Sequence, residues 1–106
     1  MPKYLLQVSY TAEGSKGLLK EGGSKRRQAA DQAVKSAGGT IESFYFAFGD
    51  TDALVIADAP DHASMAAAAL AINSSGLVRT KTTILLTPED LDQAAKKSVS
   101  YRGPGQ

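Results

Sequence analysis

Five polar side chains could together bind or transform a small molecule: Tyr10, Tyr45, Asp52, Arg79 and Lys81. Arg79 and Lys81 lie two apart in the Thr- and Ile-rich stretch Leu77–Leu86, so on an extended strand both project from one face, beside Leu77 and Leu85. A guanidinium and an ammonium placed this way suit an ion pair across a subunit boundary, or the capture of a carboxylate or phosphate. Tyr10 ends the first apolar alternation and is expected to join them. Tyr45 and Asp52 would then complete a pocket for a small anionic or aromatic ligand. For Asp52, which begins a strand, accepting backbone or arginine hydrogen bonds is the first expectation and service as a pocket carboxylate the second.

Other groups point away from chemistry. His62 is the sole imidazole and falls in the first turn of a helix, where an exposed residue is expected; one histidine also excludes a multi-His metal site within one chain. Asp50 and Asp52 flank a loop too short for a calcium cage. Gly17–Ser24 lies between a strand and a helix, the context of a phosphate-binding loop, but Gly23 stands where that motif requires lysine. Lys25-Arg26-Arg27 has no aromatic interleaving and reads as a solvated helix face, not a nucleic-acid surface. There is no cysteine, which excludes disulfides, thiolate metal sites and a cysteine nucleophile. No cofactor motif is present.

The 106 residues allow one domain, and 12 Lys+Arg against 11 Asp+Glu give a net charge of +1, too little to steer nucleic acid or an acidic membrane. The longest apolar run, Met65–Ile72, is far below the roughly 20 residues of a membrane span. Met1–Leu6 carries no apolar leader, so a cytoplasmic protein is expected. Hydrophobic residues make up 42% of the chain, but 17 of them are alanines, so the core of one protomer should be thin.

Periodicity places these five residues within a small set of strands and helices. Lys3–Tyr10 alternates as a strand. Thr11–Gly23, with four glycines, predicts a connection with one helical turn at Gly17–Lys20. Ser24 caps a helix to about Ala37, which Gly38-Gly39 ends. Thr40–Phe48 and Asp52–Asp58 form a hairpin. Ala59-Pro60-Asp61 starts an Ala-rich helix to about Asn73, with Pro60 in its first turn and Asp61 or Ala59 as its cap, Leu77–Leu86 is the fourth strand, and Thr87-Pro88-Glu89-Asp90 opens a final helix. Residues 1–95 form the domain and 96–106 a flexible polar tail. The β-α-β-β-α-β order is the ferredoxin-like α+β pattern with an antiparallel sheet and an added C-terminal helix. Right-handed crossovers place both helices on one sheet face. The other face stays open unless the last helix or a second subunit covers it. Four of the seven aromatics sit within Phe44–Phe48, and self-association is expected to bury them.

Several of these stretches also carry a family resemblance. Tyr10-Thr11 with Gly14 downstream, Ala37-Gly38-Gly39 leading into Phe44-Tyr45, Gly49 with Asp52, Ala59-Pro60-Asp61 and Val78-Arg79-Thr80-Lys81-Thr82 follow one another as in the GYD domain family. The chain resembles that family from about Tyr4 to Leu91. The naming motif, Gly and Tyr separated by one residue and followed by Asp, appears here as Gly49-Asp50-Thr51-Asp52, with Thr51 in the aromatic's place. The resemblance implies a dimeric α+β barrel in which two sheets pack face to face. It implies no settled activity: related barrels include cofactor-free monooxygenases, small isomerases and regulatory ligand-binding modules. The expected function is an oligomeric, non-catalytic small-molecule-binding or interaction module with its pocket at the sheet face or subunit interface. The alternatives are a cofactor-free barrel enzyme acting on a small organic substrate and a structural assembly subunit.

Overall fold

A computed structural model describes residues 1–106. The first strand, β1 (Lys3–Tyr10), alternates as its sequence requires: Tyr4, Leu6 and Val8 are buried, while Leu5, Gln7 and Ser9 point to the opposite face. The chain then enters a helix, α1 (Ala12–Glu21), where its glycines predict a connection. Two local bonds explain the difference. The Thr11 side chain accepts from Gly14 N–H at 3.2 Å, an N-cap, and the Thr11 N–H donates to Leu77 O at 3.0 Å. Gly14 is required at this junction, because a Cβ there would stand 2.0 Å from Leu77 O. Tertiary contact thus overrides the weak helix propensity of Gly14 and Gly17.

Gly22, at φ +85°, ends α1 by donating to Leu18 O and opens α2 (Gly23–Ser36) directly, so Ser24 lies inside the helix and caps nothing. Val34 is the fully buried residue of α2. The hairpin follows as β2 (Thr40–Phe46) and β3 (Ala53–Asp58). Strict alternation on β2 fails at a bulge between Ile41 and Ser43. The bulge sets Ile41 with Phe44, packed against the core, and leaves Ser43 and Tyr45 opposite Ile56 and Leu54. Beyond the bulge, regular alternation splits the aromatic cluster between the two sheet faces. Phe44 and Phe46 meet edge to face beneath α2, whereas Tyr45 stands on the other face.

Asp61 caps α3 (His62–Asn73) by accepting from Ser64 N–H at 2.8 Å, which also holds its carboxyl below the usual range. At the far end Asn73 fastens α3 to β4 (Val78–Leu85): its amide oxygen accepts from Thr80 N–H at 2.9 Å and its NH₂ donates to Thr80 Oγ1 at 2.8 Å. A capping box between Thr87 and Asp90 starts α4 (Pro88–Lys96).

The four strands form one antiparallel sheet in the order β2-β3-β1-β4. With four helices, this is an α+β structure whose open sheet fits a ferredoxin-like fold. Its core is one-sided: Tyr4, Leu6, Val8, Ala53, Val55 and Ala57 meet Val34 and Met65 on the helix side. The other face carries Leu5, Leu54, Ile56 and Leu85 without cover. All residues of α4 are exposed, so it does not close that face. The radius of gyration is 16.8 Å, against about 13 Å for a compact domain of this length, because this C-terminal segment projects.

One substitution made at two sites in α1 should give opposite signs. Gly14→Ala forces the helix off Leu77 and should destabilise by about 2–3 kcal/mol. Gly17→Ala, whose Cβ would meet nothing within 4 Å, should stabilise by about 0.5–1 kcal/mol. Urea denaturation midpoints of the two variants check this.

Candidate functional site

The five expected site residues do not form one cluster. Tyr10 pairs with Val78, one register step from Arg79, so its side chain lies on the helix face while Arg79 and Lys81 lie on the other. Asp52 does reach Tyr10, but through the backbone. Its Oδ2 accepts from Tyr10 N–H at 2.8 Å, while Asp52 N–H donates to Val8 O at 2.8 Å and Ala47 N–H donates to Asp52 O at 2.9 Å. The carboxylate thus ties the end of β1 to the start of β3, the structural role anticipated for it.

On the open face, Arg79 and Lys81 line a groove of about 450 Å³ with Gln7, Ser9, Asp50 and Thr51. Neither cation forms an ion pair. Lys81 stands opposite Gln7, Gln7 opposite Leu54, and Leu54 opposite Tyr45. Tyr45 therefore shares a cross-sheet row with Lys81 but lies about 14 Å away, three strand spacings. The face has a distinct order: Arg79 with Ser9 at one end, then the row of Lys81, Gln7, Leu54 and Tyr45, then Leu5 and Ile56, then a charged cluster. In that cluster Lys3 bridges Glu42 and Asp58, the latter at 2.9 Å, and these two carboxylates keep the Lys3 ammonium charged above its usual range.

On the helix face the tyrosines occupy a different environment. Tyr10 is half-buried at the floor of a cleft bounded by α1, α2 and α3. Burial raises its phenol pKa, with the nearby Arg26 guanidinium opposing the rise and the Asp52 charge adding to it. The cleft is not evident in the sequence, because α1, which walls it, reads there as a connection. Tyr4 is buried and its hydroxyl shares a 2.6 Å hydrogen bond with His62 Nδ1, the rings meeting edge to face at 5.7 Å. His62 is exposed as expected, but it is also the partner of a buried phenol. No local signal announces this, since 58 residues separate the two. No three His, Asp or Glu side chains converge in a way that could hold a metal ion. No helix is long and apolar enough to cross a membrane.

Residues 4–95 of the 106 match the family model for the GYD domain. The chain belongs to the GYD domain family. The matched region spans the four strands except Lys3, and α4 except Lys96, and so includes both the open-face groove and the helix-side cleft. Comparison with curated proteins and with solved structures gave no match. In this GYD domain, Gly49 turns the hairpin at φ +137°, and Asp52 supplies the cross-strand bond that ends the turn.

The buried phenol sets a pH dependence. Tyr4 has its pKa raised, first by burial and then by the Asp61 charge. The folded state therefore holds the Tyr4 proton more tightly than the unfolded chain does. Stability should be fully present below about pH 10, the ordinary tyrosine value, and fall as pH rises through the folded pKa. An absorbance titration at alkaline pH should show late phenolate ionisation from Tyr4 and Tyr10, and Tyr4→Phe should remove one tyrosine's share of it while Tyr10's remains.

Proposed function

We propose that this GYD domain works as a homodimer in which two helix-free sheet faces pack together as an α+β barrel. The Arg79–Lys81 groove then becomes an interfacial pocket for a small anionic or aromatic ligand, which is bound and not chemically changed. The observation that carries this reading is the uncovered apolar face. Leu54 is 38% and Tyr45 71% exposed, and Leu5 and Ile56 continue the apolar surface in the adjacent cross-sheet row. A one-sided sheet leaves such a surface in contact with water, and burying it against a second copy removes that cost.

The charges support the same arrangement. Arg79 and Lys81, enclosed between two sheets with Asp50 as the one carboxylate lining their groove and no ion pair formed, would carry a large desolvation cost. An anion between them offsets it, and the guanidinium offers two parallel donors to a carboxylate or phosphate. The non-catalytic part of the reading rests on the position of the sole imidazole: His62 lies on the opposite face, bonded to Tyr4, where it cannot activate a hydroxyl in the groove.

Light scattering should give twice the chain mass of 11.1 kDa at micromolar concentration; the single-chain mass would overturn the dimer. Leu54→Glu should yield monomers with an unchanged circular dichroism spectrum. Arg79→Ala should keep the dimer and, in a calorimetric titration with benzoate or inorganic phosphate, weaken binding by about tenfold, the loss of one charge-assisted contact of roughly 1.4 kcal/mol.

A further inference from the structure

The helix side of the sheet holds a second concavity, separate from the Arg79–Lys81 groove. The first turn of α2, together with α1, the end of α3 and the start of β4, encloses a cleft of about 590 Å³ over Tyr10. Its cations are distinctive. Six lysines and arginines lie on α1 and α2. Lys16 pairs with Glu13, Arg27 pairs with Asp31, and Lys35 stands in the last turn of α2, where it complements the helix dipole. Lys20, Lys25 and Arg26 form no ion pair, and all three line the cleft, against one carboxylate there, that of Glu21.

Two features of this cleft run against local stability. Lys25 and Arg26 put positive charge at the positive end of α2, in a first turn without an acid. Gly17 occupies the interior of α1, where alanine forms a better helix and would meet no steric obstacle. Departures from local rules concentrate where function outweighs stability, and both of these border the same open space.

Beneath α2 lies a smaller space of about 50 Å³, bounded mainly by apolar side chains such as Ala30, Ala33, Phe44 and Val55. Tyr10, Arg26, Ile72 and Val78 line both it and the cleft. The cations and the apolar lining are therefore adjacent, with the Tyr10 hydroxyl and the Arg26 guanidinium near the boundary. This is the layout of a small-molecule site: a mostly apolar wall and a few convergent polar groups.

We propose that the cleft binds a small organic anion, its carboxylate or phosphate held by Arg26, Lys25 and Lys20 and its apolar body directed past Tyr10 toward the space beneath α2. The bound anion also relieves the crowding of positive charge at the start of α2. Because this site is on the opposite sheet face from the groove, its fate does not depend on the dimer reading.

The test is a ¹⁵N NMR titration of the protein with octanoate, octyl phosphate and the neutral octanol. Saturable shifts at the amides of Gly17, Arg26 and Ser75 are expected with one or both anions, and octanol should bind at least about tenfold more weakly. The tighter of the two anions identifies the headgroup. Lys25→Gln with Arg26→Gln should weaken anion binding by a similar factor and leave octanol binding unchanged. Gly17→Phe, which fills the cleft, should abolish binding while the amide spectrum of the sheet is retained. The proposal is overturned if octanol binds as well as the anions, if neither anion shifts these amides, or if the shifts centre on Ser9, Arg79 and Lys81. An unchanged affinity in the folded double variant overturns it as well.

Discussion

Everything in this protein follows from a sheet that has helices on one side only. The two connections that cross the sheet, α1–α2 between β1 and β2 and α3 between β3 and β4, return on the same face, as right-handed crossovers in this strand order require. Tyr4, Leu6, Val8, Ala53, Val55 and Ala57 then form a core with Val34 and Met65, while Leu5, Leu54 and Ile56 on the alternate positions have nothing above them. With so many alanines on the helices, the buried layer is thin, and only 13 of 106 residues are fully buried. A protein built this way has a strong physical reason to associate through its open face.

The same geometry creates two separate chemical environments from one strand pair. Tyr10 and Arg79 are near in register but face opposite solvents. Asp52 links the systems structurally, since its carboxylate holds the β1 terminus from which Tyr10 reaches the helix side and beside which Arg79 reaches the open side. The α1–α2 corner stands out on the helix side. Gly14 admits α1 into contact with Leu77, and Gly22 turns the chain without supplying a side-chain cap. That turn leaves a helix start surrounded by unpaired cations, an arrangement that weakens the isolated helix and suits an anion.

Much of the fold was legible because it is written in short-range physics. The alternation of β1, the Asp61 cap of α3, the Thr87–Asp90 capping box and the βαββαβ order are all local patterns, and the structure contains each of them. What local reading missed has a common cause. The glycines of α1 argue against a helix until Leu77, 63 positions beyond Gly14, makes one of them necessary. The bulge at Ile41–Ser43 shifts which β2 side chains face the core, and nothing in the β2 sequence signals it.

The candidate site divides in the same way. Arg79 and Lys81 share a face because strand period two requires it, and the sequence alone determined that. It also determined that the protein has no thiol chemistry, one imidazole and almost no net charge. Long-range packing is what sets Tyr10 with Arg26 and not with Arg79, Tyr45 three strands from Lys81, and His62 against a buried phenol. Those outcomes depend on strand register and helix placement. Both are set by contacts between residues far apart in the chain, and a single register step exchanges one face of a sheet for the other.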